Sequence, residues 1–283
     1  MRSDLPAALP MTATWFGGVR PWAAAARART PLLWWSGWAA LALTLPLLLL
    51  MALDGRSFNG VSVWLKPWKF HLSVVVHRLA LALVAATLSD RPGRQRALGR
   101  LGAVAVACAV FELAYITWRA SRGEASHFNV GDPVAGLLYG LMGLGAVLLT
   151  GCAGLLGWWV AGERHFVGGP VLQRGLALGL LAGWLLGTLT GAVVSAQTGH
   201  WVGGTPSDAG GLPVLGWSRD GGDLRVAHFF GLHAMHVIPL VAWALARRLP
   251  PRRALAAVGL FTAGYTAWTL FTFAAARSGR PFA

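Results

Sequence analysis

The stretch AHFFGLHAMHVIPL, residues 227–240, places three histidines within one apolar run. A second apolar run, WLKPWKFHLSVVVH at residues 64–77, carries two more. Both runs are typical of membrane spans, where an ionisable side chain costs about 2.5–3.5 kcal/mol on insertion scales. Side chains that costly seldom lack a role, so the two runs together predict a functional site. The five histidines are His71, His77, His228, His233 and His236.

The composition predicts that most of the chain lies in a membrane. Of its 283 residues, 55% are hydrophobic and 12% are charged, whereas soluble domains average about 25% charged residues. Several apolar stretches exceed about 18 residues, the length that indicates a transmembrane helix. We therefore predict an all-α, polytopic membrane helix bundle of about seven transmembrane helices. The predicted spans are 33–53, 67–88, 101–118, 133–161, 175–197, 224–246 and 254–276.

The basic residues predict how the bundle is oriented. The formal net charge is +14, and most of the 24 Lys and Arg residues lie in the N-terminal segment and in the loops on its side of the membrane. The positive-inside rule then puts the N-terminus in the cytoplasm and the C-terminus outside. This divides the chain into a cytoplasmic tail at 1–32, a seven-helix domain at 33–276 and a short outer tail at 277–283.

The same pattern predicts a multi-pass protein of the bacterial inner membrane. Its expected partners are the lipid bilayer and a quinone or lipid substrate. No basic run is interleaved with aromatic residues in a soluble module, which argues against nucleic-acid binding. The sequence leaves the oligomeric state open.

The positions of the histidines within their spans predict a haem site. His77 and His233 each lie about 14 Å below the outer face. His71 and His228 lie about 5–6 Å below it. Facing imidazoles at equal depth suit a b-type haem, and Gly231 would let the macrocycle approach the backbone. This favours electron transfer or oxidoreduction of a quinone-like substrate. The basic side chains expected to neutralise the propionates are Lys66, Lys69 and Arg225.

A transition-metal site is the second interpretation, with zinc, copper or iron as the ion. His127 and His200, from the outer loops, would join the two shallow histidines as ligands. Glu124 or Asp223 would act as the general base of a hydrolase or transferase that acts on lipids. The HExxH signature of zinc proteases is absent from the sequence.

Arg78 and Glu112 support a third interpretation, transport of an anionic solute. Arg78 is predicted near mid-membrane and Glu112 about 9 Å below the outer end of its span. Pairing with each other would offset the cost of burying either charge, and the pair would line a solute path or fix helix register. The glycine-rich loop 199–222 would be a lid over a site or a flexible connector. Hydrogen bonding across helices is the structural alternative for the histidines.

Overall fold

A computed structural model describes residues 19–164 and 166–283, and it is helical almost throughout. The seven helices that follow the first are long and apolar enough to cross a membrane, which confirms the predicted all-α, seven-span architecture. The helices are α1 (Val19–Arg29), α2 (Pro31–Leu53), α3 (Leu65–Ala86), α4 (Arg94–Ser121), α5 (Pro133–Ala161), α6 (Gly169–Ser195), α7 (Leu224–Ala246) and α8 (Pro251–Arg277).

Two short antiparallel pairs of strands lie in the loops at one end of the bundle. Strand β1 (Ser57–Phe58) pairs with β2 (Val61–Ser62) between α2 and α3. Strand β3 (Trp201–Val202) pairs with β4 (Gly222–Asp223), so it closes the long loop between α6 and α7 at its base. These pairs fold the loops predicted to lie outside the membrane.

Two of the helices begin where the sequence supplies a capping residue. The Asp132 side chain accepts hydrogen bonds from the backbone N–H groups of Val134 and Ala135 at the start of α5. Asp223 accepts one from the backbone N–H of Arg225 at the start of α7. An aspartate in this position satisfies backbone donors that lack a partner in the first turn. Both caps fix where a span enters the membrane.

Helices α6 and α7 pack closely because small residues line their seam. A Cβ atom added to Gly179 would lie 2.6 Å from Cδ of Pro239, and one added to Gly187 would lie 2.6 Å from Cδ2 of Leu232. On α7, Gly231 allows the same close approach, since a Cβ atom added to it would lie 3.0 Å from the backbone nitrogen of Gly187 in α6. Small residues spaced by four let membrane helices approach closely. Gly231 therefore serves the contact with α6, and not the approach of a macrocycle.

Part of the predicted N-terminal tail is a packed helix. Residues 1–18 of that tail lie outside the described residues, whereas α1 packs against α3. Trp22 of α1 is 2% exposed and belongs to the same core cluster as Leu88 and Leu98. Arg29 donates to the backbone carbonyl of Leu88 and forms a 3.0 Å ion pair with Asp90. The segment from 19 to 29 is thus part of the bundle's own core.

Arg78 joins three helices from the inside of the bundle. It is 2% exposed, and it donates to the backbone carbonyls of Ser36 in α2 and Val106 in α4, at 3.1 and 3.3 Å. No ion pair between Arg78 and Glu112 occurs among the described residues. The predicted pairing is wrong because backbone carbonyls of α2 and α4 already supply the acceptors.

Helices α3 and α7 pack against different neighbours. Helix α3 packs mainly against α2, α1 and α4, and α7 packs mainly against α6 and α8. Polar side chains of the two helices nevertheless come close enough to interact electrostatically. The two histidine-bearing runs therefore lie within electrostatic reach of each other.

Candidate functional site

Three histidines lie at similar levels of α3 and α7, and we call them the central histidines: His77, His233 and His236. The ring centroids of His233 and His236 are 5.2 Å apart. His236 also interacts electrostatically with His77 of α3. The convergence of imidazoles from spans two and six stays a prediction, since the one close ring contact in this group lies within α7.

The central histidines have unused ring nitrogens. Nε2 of His77 and both ring nitrogens of His236 are buried with no hydrogen-bond partner among the described residues. The ring of His77 also bonds the backbone of Leu149 in α5, which fixes its orientation. Leaving a buried polar atom unpaired costs about 1–3 kcal/mol. The group is therefore chemically incomplete, as expected of a site that receives a ligand.

His71 does not belong to this group. Its Nδ1 lies 2.9 Å from the backbone oxygen of Pro67, and the residue is 5% exposed. Since it precedes Arg78 by seven residues, the two share a helix face, and Arg78 points to α2 and α4. His71 thus has the depth that the sequence predicts but lies on the face away from α7.

His228 lies against α6. Its Nδ1 is 3.1 Å from the backbone oxygen of Gly187 and 3.3 Å from Oγ1 of Thr190. A Cβ on Gly191 would lie only 2.8 Å from Cε1 of the ring, so the glycine makes room for it. His127 is within electrostatic reach of His228. The neighbour of His228 across the interior is therefore this loop histidine and not His71.

A second group of polar side chains lies nearer the outer end, and we call it the outer chamber: Lys66, Glu112, His127 and His228. Protein surrounds all four, yet each keeps part of its surface accessible. Lys66 interacts electrostatically with Glu112, and His127 interacts with Lys66 and His228. The outer chamber is thus a cluster of half-buried polar side chains near the outer end of the bundle.

His127 is neutral in this setting. Burial lowers its pKa well below the ordinary value, and the nearby ammonium of Lys66 lowers the pKa further. Its ring contacts those of Phe70 and Tyr139, with centroids 5.7 and 5.6 Å away. Aromatic rings therefore hold the imidazole in place, and Nδ1 lies 3.1 Å from Oγ of Ser126.

Above the chamber, four residues form a paired cluster that we call the outer network: His200, Asp208, Asp223 and Arg225. Nη2 of Arg225 lies 2.7 Å from Oδ2 of Asp223 and 2.8 Å from Oδ1 of Asp208. Nδ1 of His200 lies 3.4 Å from Asp223, and its Nε2 lies 3.8 Å from Asp208. The Asp223 side chain is 1% exposed. The network ties the long outer loop to the start of α7.

The pKa shifts in the outer network follow from this pairing. Burial raises the pKa of Asp223, but hydrogen bonds from His200 and Arg225 outweigh it and hold the pKa well below the usual range. Burial lowers the pKa of His200 by more than the two neighbouring carboxylates raise it. Asp223 is therefore an ionised anchor, and His200 is mainly neutral.

The outer loop is folded over the end of the bundle. Nζ of Lys69 in α3 donates to the backbone oxygen of Leu215, at 3.1 Å. The backbone N–H of Asp208 donates to the oxygen of Asn59, at 2.9 Å, and Oγ of Ser207 also bonds that oxygen. These contacts link the α6–α7 loop to the β1–β2 turn. The loop is thus fixed to the outer end of α3 and to the β1–β2 turn, and its role as a lid or a connector stays a prediction.

The remaining predicted site residues have partners of their own. Glu124 forms ion pairs with Arg119 at 2.8 Å and Arg122 at 3.2 Å, within a single turn of chain. Lys69 and Arg225 already donate to the outer loop. Of the three basic residues expected to neutralise propionates, Lys66 is the one with no hydrogen bond or ion pair among the described residues.

Comparison of the chain with protein-family models, with curated proteins and with solved structures finds no match. In the described residues, no group of three or more His, Cys, Asp or Glu side chains is placed to hold a metal ion. Buried ring nitrogens without a hydrogen-bond partner occur among the central histidines, and the outer chamber holds Lys66, which has no ion pair among the described residues. These two groups are the basis of the functional proposals.

Proposed function

We propose that this multi-pass protein of the bacterial inner membrane, with its N-terminus in the cytoplasm, holds a b-type haem between α3 and α7. Electron transfer, or oxidoreduction of a lipophilic, quinone-like substrate, would be its activity. The proposal rests on one observation: Nε2 of His77 and both ring nitrogens of His236 are buried without a hydrogen-bond partner among the described residues, and the two residues interact electrostatically. Such nitrogens could bind the iron of a haem, because imidazole is a good ligand for iron.

A haem suits the central histidines better than a bare metal ion does. Two imidazoles from opposite helices are enough to hold a haem, whereas a zinc, copper or iron ion takes three or more protein ligands. His77 would supply one ligand, and His236 or His233 the other. When bound, the haem supplies one-electron chemistry. The surrounding helices would exclude water and fix the imidazoles in position.

The proposal of a metal-dependent hydrolase or transferase acting on lipids has weaker support. Both acids predicted for it are engaged elsewhere, since Asp223 pairs with Arg225 and Glu124 pairs with Arg119. A general base must be free to accept a proton from the reacting water. The other proposal, transport of an anionic solute, has separate support in the unpaired ammonium of Lys66.

Spectra of the purified protein test the haem proposal. After haem-replete expression, the wild type should show a Soret band, and His77→Ala should lose most of it because His77 is the ligand that α3 supplies. Metal analysis of the same preparation distinguishes an ion from a haem. A wild-type protein without a Soret band contradicts the haem proposal.

A further inference from the structure

The ammonium of Lys66 has no counter-ion among the described residues, and the residue is half-buried. It makes no hydrogen bond or ion pair with a described residue, and its one recorded contact is with the ring of Phe70, 5.9 Å from Nζ to the centroid. Asp208 lies within electrostatic reach but is bound by Arg225. Glu112 is also within reach, without being at ion-pair distance. Because an unpaired charge is expensive to bury, Lys66 marks a place where an anion would be stabilised.

The start of α3 adds positive potential around Lys66. No acidic residue lies in the first turn of α3, whereas the start of α7 is capped by the carboxylate of Asp223. A helix N-terminus carries about half a positive charge, which favours a nearby anion and disfavours a nearby cation. Arg225 in the first turn of α7 is balanced by Asp208 and Asp223. Lys66 in the first turn of α3 has no such balance.

The imidazoles beside Lys66 complement an oxygen anion. His127 is neutral, so one of its ring nitrogens carries a hydrogen that can be donated. Nδ1 of His228 faces the carbonyl oxygen of Gly187 and therefore acts as the donor there, which leaves its Nε2 as an acceptor. The chamber thus offers the ammonium of Lys66, a hydrogen-bond donor on His127 and a hydrogen-bond acceptor on His228. A carboxylate or phosphate group can accept hydrogen bonds from Lys66 and His127. A protonated phosphate oxygen can also donate to His228.

We propose that the outer chamber is an anion-binding site in which Lys66 pairs with a carboxylate or phosphate group of a ligand and His127 donates to the same group. The outer loop is held next to the site by the hydrogen bond from Lys69 to the Leu215 carbonyl. The site does not depend on a haem between the central histidines, since its residues are different. Glu112 shares the space and opposes the anion by charge repulsion.

Thermal unfolding of the purified protein in nonionic detergent tests the site. At fixed ionic strength, inorganic phosphate or acetate should raise the unfolding temperature of the wild type in a saturable manner. Lys66→Met should bind at least about tenfold more weakly, as expected for the loss of a charged hydrogen bond. Lys69→Met is the matched control, and it should keep the response because its ammonium already bonds the Leu215 carbonyl.

Two further readouts separate binding from a structural role of Lys66. Without added anion, Lys66→Met should be at least as stable as the wild type, since it removes an unpaired buried charge. Glu112→Gln should bind the anion several-fold more tightly, because it removes the opposing charge. A Lys66→Met protein that is less stable without anion, or that keeps the wild-type response, overturns the proposal.

The source of the anionic group is distinguished by a second series of additions. Phosphatidylglycerol in mixed micelles presents the phosphate of a lipid headgroup, whereas inorganic phosphate and acetate present the group in free form. A response to the free anions that depends on Lys66 assigns a soluble ligand, and a response confined to phosphatidylglycerol assigns a lipid. A wild-type protein that responds to none of the three overturns the proposal.

Discussion

The outer network and the interior beneath it differ in how their charges are paired. In the network, Arg225 pairs with two aspartates. In the interior, Lys66 has no counter-ion among the described residues, and both ring nitrogens of His236 are buried without a hydrogen-bond partner. Paired charges hold a structure together, whereas unpaired buried groups cost stability and persist where a ligand uses them. The contrast separates residues that shape the site from residues that bind.

The largest effect should follow from breaking the network. Asp223→Ala removes the cap of α7 and leaves Arg225 without its closest partner, so the free energy of unfolding should fall by about 3–5 kcal/mol, as for other buried pairs that lose one member. Thermal unfolding in detergent measures this. Glu124→Gln is the matched control, since its ion pairs are more exposed and are worth about 0–1 kcal/mol. Equal effects of the two substitutions would contradict the structural role assigned to the network.

A pH dependence of intermediate size should come from His200. Its pKa is lower in the folded protein than its ordinary value, so the unfolded chain binds the proton more readily. Stability should therefore be complete above about pH 6.5 and decline as the pH falls below that value. Unfolding temperatures between pH 8 and 5 measure the decline, and His200→Gln should reduce its slope. A wild type that becomes more stable on acidification to pH 5 would contradict the assignment.

The smallest effect should come from a central histidine in cofactor-free protein. His236→Leu replaces a ring whose two nitrogens have no hydrogen-bond partner, so no hydrogen bond is lost. The free energy of unfolding should change by less than about 1 kcal/mol or increase. A chemical denaturation series on haem-free protein measures it. A loss well above this range would show that the imidazole is already satisfied, and the contrast with the network would fail.

The sequence predicts the bundle well because span length and apolarity are local properties. It does not predict α1, whose arginines make the segment resemble a solvated tail, although Trp22 packs into the core. Depth in the membrane also follows from position along a span. Rotation about the helix axis does not follow from that position, so depth alone pairs His71 with His228 although His71 lies on the helix face of Arg78.

Some of the site could have been predicted more closely. Asp223 immediately precedes an apolar helix, which is the position of a helix cap, so its structural role was visible in the sequence. The approach of His127 to His228 depends on how the α4–α5 loop folds back over the bundle. No local pattern encodes that contact, because it joins residues about a hundred positions apart.

The most direct test of the haem proposal compares two histidines of one helix. Haem bound per protein, measured by the pyridine haemochrome method, should fall at least about tenfold in His77→Ala and remain near the wild-type value in His71→Ala. Both histidines lie in α3, but only His77 has a buried nitrogen without a partner beside α7. Equal haem content in the two variants, or a loss confined to His71→Ala, would contradict the proposal.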